Sequence, residues 1–390
     1  MPAPTSPTAP LVPQGFRGLT ARLGLKDDAD DFAVLVSEVP CVSAAVFTRS
    51  RFAGPSVLLS RGDAGAGTSR GVVVLSKNAN VANGPAGDRD ATEVRARVAE
   101  AAGIGVGELV IASTGVIGRR YPMDLVRAGL ARLPRPFPAA DFEAAARAVM
   151  TTDTRPKHVA VRCGDAVLVG IAKGVGMIEP DMATLLTFFF TDAELPAGEL
   201  DAVFRRVVDR TFNALSIDTD TSTSDTAAVF ANGLAGPVDP AAFETALHAC
   251  ALRLVRDIAS DGEGASKLIE VRVTGARDTA QAKAVGKSVV NSPLVKTAVH
   301  GADPNWGRVA MAVGKLDDPD LSPERVSLRF GDVGLYPGEA TQELLAAAAA
   351  HLAGDEVVLG VDLGLGDAEF TVYGCDLTEG YVKINADYTT

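Results

Sequence analysis

The 390-residue chain is 47% hydrophobic and 22% charged, which is enough apolar sequence for a large core and for more than one domain. Its formal net charge of −12 at pH 7 argues against nucleic acid as a partner, because phosphates require a basic protein face. No apolar run is long enough for a transmembrane helix, and the Pro-rich start lacks the features of a signal peptide, so we expect no contact with a membrane.

The cysteines and histidines indicate neither disulfides nor a metal site. Four widely spaced cysteines form no C-x-x-C pair, which favours reduced, buried thiols in a cytoplasmic protein: Cys41, Cys163, Cys250 and Cys375. The four histidines show no spacing typical of metal ligands. We therefore predict no metal and no cofactor.

The first half of the chain alternates predicted strands and helices. Apolar alternation and β-branched runs predict strands beginning at Phe32 and Ala44 and spanning 71–76, 109–113, 158–163 and 166–171. Helices are predicted at 91–102, 123–133 and 141–150, with Asp90 and Asp141 as N-caps of the first and last. The two strands at 158–171 read as a hairpin through a Gly-Asp turn.

The second half begins with the apolar, aromatic run Leu-Leu-Thr-Phe-Phe-Phe-Thr after Thr184, which predicts a buried strand. Further elements are predicted as helices at 197–212, 240–258, 280–290 and 340–352, a strand at 268–274, and hairpins at 326–335 and at 356–363 with 369–373. Because hairpins alternate with helical crossovers, the predicted fold is α+β, with layered mixed β-sheets and flanking helices and not a doubly wound parallel sheet.

Thr184 stands at the start of a core strand, after a segment rich in glycine and proline that runs from Lys173 to Ala183. One interpretation is structural, since threonine commonly opens strands. The other is that the bond between Ala183 and Thr184 is cut. Thr184 would then carry a hydroxyl nucleophile and, on the same residue, a free α-amine able to act as its base.

The segment Lys-Gly-x-Gly-Met-Ile-x-Pro-x-Met-Ala-Thr-Leu-Leu resembles the self-cleavage segment of the ornithine acetyltransferase family, the bifunctional glutamate N-acetyltransferases of arginine biosynthesis. Further motifs resemble the family in the same order along nearly the whole chain: Ala112-Ser-Thr-Gly-Val-Ile-Gly118, Thr151-Thr-Asp-Thr-Arg-Pro-Lys157, Asp218-Thr-Asp-Thr-Ser-Thr-Ser-Asp-Thr226, Asp303-Pro-Asn-Trp-Gly-Arg308 and Asn385-Ala-Asp-Tyr-Thr-Thr390. The resemblance implies the self-cleaving N-terminal-nucleophile fold shared with certain aminopeptidases. It also implies an α chain of residues 1–183 and a β chain of residues 184–390, assembled as α₂β₂.

The resemblance also implies roles for individual residues. Thr184 is the nucleophile, and Thr114 and Gly115 form the oxyanion hole. The implied substrate contacts are Thr151, Lys173, Thr184, Glu263, Asn385 and Thr390. Without the resemblance, Lys173 and Glu263 are equally well explained as solvated loop charges. We expect the oxygen-rich 218–226 loop to buttress the site through hydrogen bonds, with a cation loop as the alternative. The 303–308 motif is expected to order a helix start near the cleft.

The implied activity is a ping-pong transfer of acetyl from N²-acetyl-L-ornithine to L-glutamate, without a metal or obligatory acetyl-CoA. Whether acetyl-CoA also serves as a donor stays open. Two alternatives remain: an N-terminal-nucleophile aminopeptidase or amidohydrolase, with water as acceptor, and an uncleaved amino-acid-binding paralogue. The chain departs from the commoner family pattern at residues 77–84, and Glu179 and Asp181 add carboxylates before the cleavage site. These departures leave open a role in an antibiotic biosynthesis cluster.

Overall fold

A computed structural model describes residues 11–25, 29–179 and 185–387. The strands, in chain order, are β1 Phe16–Ala21, β2 Phe32–Ser37, β3 Val42–Phe47, β4 Gly71–Leu75, β5 Leu109–Ser113, β6 Lys157–Cys163, β7 Ala166–Lys173, β8 Leu186–Glu194, β9 Thr226–Pro237, β10 Leu268–Ala276, β11 Ser327–Phe330, β12 Val333–Tyr336, β13 Glu356–Asp362 and β14 Ala368–Cys375. The helices are α1 Pro55–Ala64, α2 Gly84–Ala102, α3 Met123–Leu130, α4 Phe142–Ala148, α5 Ala197–Arg210, α6 Pro240–Ala259, α7 Thr279–Val290, α8 Pro293–His300, α9 Trp306–Gly314, α10 Gln342–Leu352 and α11 Glu379–Asp387.

These strands form mixed sheets. Sheet 1 has the order β1-β2-β4-β5, sheet 2 the order β3-β9-β8-β7-β6, and sheet 3 the order β12-β11-β13-β10-β14. Each contains one parallel pair, respectively β4 with β5, β8 with β9, and β10 with β13. The layered α+β arrangement of mixed sheets and flanking helices is thereby confirmed.

The aromatic run in β8 shows how the layers pack. Phe188 and Phe190 face sheet 1, while Phe189 faces the opposite side, toward α5 and α6. The Phe190 ring lies 5.4 Å from those of Phe16 and Phe230, and all of these side chains are buried. Alternate side chains of one strand therefore supply two separate cores, as the two-residue period of a strand requires. Helices α2 and α3 cover the other face of sheet 1.

Most predicted elements are confirmed to within a few residues, including the hairpin of β6 and β7, strand β8, and the helices α5 and α6. The N-cap at Asp141 is also confirmed, since its carboxylate accepts a hydrogen bond from the Ala144 amide. All four cysteines are free and buried. In the parts of the chain that the structure describes, no helix is both long and apolar enough to cross a membrane.

Two predictions were wrong. Asp90 does not cap α2, because the helix begins at Gly84, where Pro85 suits the first turn. Asp90 is instead buried within the helix, and both of its oxygens accept hydrogen bonds from Arg120. The strands β13 and β14 do not form a hairpin, because β10 lies between them, parallel to β13 and antiparallel to β14.

Strands on both sides of position 183 build the same sheet. In sheet 2, β3, β6 and β7 precede position 183, whereas β8 and β9 follow it, and β8 pairs with β7 over six residues from Leu168 to Lys173. A cut between 183 and 184 would leave two chains that share one sheet and its cores.

Candidate active site

The candidate site lies where sheets 1 and 2 present strand ends to each other. β5 ends at Ser113, directly before Thr114, and β7 ends at Lys173, which pairs with Leu186 at the start of β8. Two adjoining cavities occupy this edge. Together they are lined by Thr114, Gly115, Ile117, Thr151, Thr152, Lys173, Gly174, Gly176, Met177, Ile178, Leu185, Leu186, Ser222, Thr223, Ser224, Asp225, Glu263 and Asn385.

Six of the predicted site residues are brought together here: Thr114, Gly115, Thr151, Lys173, Glu263 and Asn385. Ala183, Thr184 and Thr390 lie outside the described residues. Leu185, which follows Thr184 in the sequence, lines the second cavity, and its carbonyl accepts a hydrogen bond from the Thr226 amide at 3.0 Å. Residues far apart in the chain therefore converge beside the start of β8.

Neither the Thr114 hydroxyl nor the Gly115 amide donates a hydrogen bond to any residue that the structure describes. The Thr114 amide donates to Leu75 O and the Val116 amide to Lys77 O, but the Gly115 amide has no hydrogen bond with any described residue. Gly115 has φ +122°, and a Cβ there would lie 2.2 Å from the carbonyl carbon of Lys77. Only glycine fits this close approach to the 77–78 backbone. A free amide beside a hydroxyl suits the stabilisation of an oxyanion.

Removing the Thr114 hydroxyl tests this arrangement. In Thr114→Val we expect kcat of the acetyl transfer that the family resemblance implies to fall by about 10²–10³, the usual loss for one oxyanion donor. KM for the acetyl donor should change much less. Steady-state kinetics with matched melting curves measure the effect. A kcat within about twofold of the parent would contradict a role for this hydroxyl, whatever the change in KM.

The cavity has a cationic end and an anionic end. Lys173 donates to Thr151 Oγ1 at 3.1 Å. Burial lowers the pKa of the Lys173 ammonium, although the carboxylates of Asp153 and Asp225 act in the opposite direction. Glu263 accepts hydrogen bonds from Thr152 Oγ1 at 2.8 Å and from Asn385 Nδ2 at 2.9 Å, one on each oxygen. This polarity matches a ligand that carries both a carboxylate and an amine.

Gly176 leaves the room that Glu263 occupies. A Cβ on Gly176 would lie 2.4 Å from Glu263 Oε2, and the Glu263 amide donates to Val175 O at 2.8 Å. The 174–176 segment and the loop that carries Glu263 are therefore in direct contact, so the two ends of the cavity hold a fixed separation.

A buried ionic cluster lies beneath the cavity. Lys157, with a fully buried ammonium, donates to Asp153 Oδ1 and to Asp261 Oδ2, both at 2.7 Å. Asp153 also accepts from the amides of Thr151 and Gly174, and Asp261 accepts from the Thr154 amide. Burial alone would raise the pKa of Asp153, but Lys157 and Lys173 outweigh it and hold that pKa below its usual range. One lysine thus ties together the segments that carry Thr151, Lys173 and Glu263.

The 218–226 loop lines the cavities through residues 222–225. As predicted, it supports the neighbouring 177–178 segment by hydrogen bonds. The Asp218 carboxylate accepts from the amides of Met177 and Ile178, at 2.6 and 2.8 Å. Burial raises the pKa of this carboxyl. Thr48 Oγ1 donates to Ser222 O at 2.7 Å and the Gly54 amide to Thr223 O, so the loop is also held from the side of α1.

Comparison with known proteins identifies the family. A model of the ArgJ family matches residues 17–390. The chain belongs to the ArgJ family. It is similar to "Glutamate N-acetyltransferase Oat2" of Streptomyces clavuligerus, with 65% identity over 392 residues, covering 99% of this chain and 100% of that protein. It is also similar to "Arginine biosynthesis bifunctional protein ArgJ 2" of Nostoc sp., with 55% identity over 384 residues and coverage of 98% and 99%.

A solved structure of the arginine biosynthesis bifunctional protein ArgJ from Bacillus halodurans is also similar, at 39% identity. It covers 50% of this chain and 96% of its own, with a TM-score of 0.47.

In this ArgJ-family chain, sequence reasoning missed several residues of the site. Thr152 holds Glu263, Lys157 and Asp261 form the buried cluster, and Asp225 lines the cavity while 2% exposed. Lys157 opens a strand that also contains His158 and Arg162, so its charge alone did not mark it as a buried, paired residue.

The 303–308 motif opens a helix as predicted, since α9 begins at Trp306. None of its residues lines either cavity, so the expected position near the cleft is not confirmed. Trp306 stacks on Tyr336, and Arg308 donates to Leu294 O. Among the residues that the structure describes, no cluster of three or more His, Cys, Asp or Glu side chains could hold a metal ion.

Proposed function

We propose that this chain is a self-processed N-acetyltransferase that moves acetyl from N²-acetyl-L-ornithine to L-glutamate through an acetyl-Thr184 ester. The observation that supports the proposal is the convergence, beside Leu185, of four groups: the Thr114 hydroxyl and the Gly115 amide, which have no hydrogen-bond partner among the described residues, the Lys173 cation and the Glu263 carboxylate. The relatives, named as a glutamate N-acetyltransferase and a bifunctional arginine biosynthesis protein, support the same activity.

Maturation begins with attack of Thr184 Oγ on the Ala183 carbonyl. The peptide C–N bond breaks as the C–O ester bond forms, and the proton of the hydroxyl ends on the new α-amine. Water then hydrolyses the ester, which releases residues 1–183 with a free carboxylate and leaves Thr184 at the start of the second chain. The freed α-amine has an ordinary pKa of about 7.7–8.0, which suits a general base near neutral pH.

Transfer repeats this chemistry on the substrate. The α-amine of Thr184 takes the hydroxyl proton while Oγ attacks the acetyl carbonyl of acetylornithine. The resulting oxyanion is stabilised by the Thr114 hydroxyl and the Gly115 amide. Collapse breaks the amide C–N bond, and the departing amine of ornithine receives the proton. The amine of glutamate then attacks the acetyl ester, and Thr184 regains its hydroxyl proton.

Both substrates share an α-carbon with an α-carboxylate, so one pocket serves donor and acceptor. Lys173, with Thr151, binds the carboxylate, and Glu263, held by Thr152 and Asn385, faces the side-chain amine of ornithine. We place Thr390 among the substrate contacts on the family pattern alone.

The decisive assay incubates the purified protein with acetylornithine, with and without glutamate. We expect ornithine and N-acetylglutamate to appear in equal amounts, with fast consumption of the donor only when glutamate is present. Equally fast release of acetate without glutamate would identify an amidohydrolase and contradict the proposal. A parallel reaction with acetyl-CoA as the donor measures whether it also acylates Thr184.

The dependence of kcat/KM on pH is expected to have an alkaline limb that depends on Lys173. The α-amine of Thr184 must be neutral, so kcat/KM is expected to rise through about pH 8. Lys173 must be charged, and because burial lowers its pKa, kcat/KM is expected to fall again below the ordinary lysine value of about 10.4. In Lys173→Arg the guanidinium stays charged, so the alkaline fall should disappear. An unchanged alkaline limb in this variant would contradict the assignment.

The fragments 1–183 and 184–390 are proposed to stay together as αβ units that assemble into α₂β₂ in the cytoplasm. Size-exclusion chromatography with light scattering measures this assembly directly. A role in arginine biosynthesis is expected to show as complementation of a strain that cannot make ornithine. Failure to complement, with the transfer activity intact, would favour the specialised role of a paralogue.

A further inference from the structure

The last described residues before the proposed cleavage point lie along the 216–221 segment. The Ile217 amide donates to Ile178 O at 2.7 Å, and the Glu179 amide donates to Asp220 O at 2.9 Å. The Asp218 carboxylate adds two bonds to the amides of Met177 and Ile178. Residues 177–179 are thus held, through an isolated antiparallel bridge between Ile178 and Thr221, on a segment that belongs to the other predicted fragment.

The Glu179 side chain extends this attachment to α7. Its Oε2 accepts from Asn291 Nδ2 at 2.6 Å and from Ser216 Oγ at 3.1 Å, and the Lys287 ammonium lies 4.0 Å from Oε1. Glu179 lines neither cavity. The extra carboxylate at this position therefore belongs to a contact between the fragments and not to substrate selection.

The position of this contact matters because the cavity wall immediately precedes it. Lys173, Gly176 and Met177 line the cavity and lie near the C-terminal end of fragment 1–183. In an uncut chain, residues 173–177 are connected to the rest of the protein at both of their ends. After cleavage their C-terminal side becomes a chain end, and chain ends fray unless they are tied down.

We propose that Glu179 and Asn291 form a latch that keeps the C-terminal end of the first fragment, and with it the wall carrying Lys173, in place after cleavage. This inference rests on the proposed self-cleavage. Glu179 acts as a positioning residue, because it reaches the substrate only through the residues before it. Its contribution is needed more in the cleaved protein than in the precursor.

Hydrogen exchange of the peptide covering 174–179 tests the latch. Asn291→Ala is introduced into the wild-type chain, which cleaves, and into a Thr184→Ala chain, which does not. In the cleaved protein we expect exchange of these amides to accelerate about tenfold, in line with the loss of a hydrogen bond to a charged acceptor. In the Thr184→Ala background we expect less than about threefold acceleration. KM for acetylornithine should rise in the cleaved variant, while kcat changes less.

Two further variants give the comparison its controls. Glu179→Gln in the cleaved protein keeps an acceptor for Asn291 and should retain most of the protection of these amides. Asn305→Ala makes the same substitution at the start of α9 and should leave these amides unchanged. Equal acceleration in the cleaved and uncleaved backgrounds would overturn the latch while leaving the proposed function intact. A wild-type chain that never cleaves would overturn both, and intact mass separates these outcomes.

Discussion

Thr184→Ala is expected to give one unprocessed polypeptide with no measurable acetyl transfer. The substitution removes the nucleophile of both reactions, the attack on the Ala183 carbonyl and the attack on the acetyl group. Removing a nucleophile typically costs several orders of magnitude in kcat, so the residual rate should equal the background. A denaturing gel reports the processing, and the acetylornithine–glutamate assay reports the transfer.

Thr184→Ser is the matched control, because it keeps a hydroxyl and the potential α-amine. It should still cleave and transfer acetyl, at a reduced rate. Two fragments in the alanine variant, or turnover like that of the wild type, would show that another residue performs the chemistry.

Lys157→Met is expected to lower the free energy of unfolding by about 3–5 kcal/mol, the usual cost of removing one partner from a buried charge pair. The substitution leaves the carboxylates of Asp153 and Asp261 buried without their shared cation. Because these carboxylates hold the segments of Thr151, Lys173 and Glu263, kcat/KM should fall as well. Urea denaturation in the uncleaved Thr184→Ala background measures the change in a single chain.

The control for Lys157→Met is Arg253→Met, which breaks the exposed pair of Arg253 with Asp257 on α6 and should change stability much less. The free energy of unfolding of the parent chain, measured at low pH, provides a second check on the ion pairs of Asp153. The pKa of Asp153 is lowered in the folded state, so the unfolded chain binds more protons below about pH 4 and the folded state loses stability there. A loss below 1 kcal/mol in Lys157→Met would contradict the role of this cluster.

The sequence predicted the elements whose signals are local. The apolar runs of β4, β5 and β8 and the two-residue turn between β6 and β7 placed these strands correctly. Pairing between distant strands left no local signal. β13 and β14 have the composition of a hairpin, yet β10, which is distant from both in the chain, lies between them. The start of α2 was misplaced because a capping aspartate at position 90 and a buried, paired one look alike in sequence.

The candidate site shows the same division. The motifs marked Thr114, Lys173, Glu263 and Asn385 by resemblance, and the fold brings them to one cavity. The connections among them come from tertiary structure alone. Lys157 joins Asp153 to Asp261 across 108 positions of sequence, and Glu179 reaches Asn291 across 112. No periodicity records such pairs, so these roles emerged only when the elements were placed in space.

The proposed chemistry requires that the chain cut itself before Thr184, and the intact mass of freshly purified wild-type protein tests this cleavage most directly. We expect two species with the masses of residues 1–183 and 184–390, and a free N-terminal threonine on the second. A single full-length species that persists on incubation would contradict the central claim.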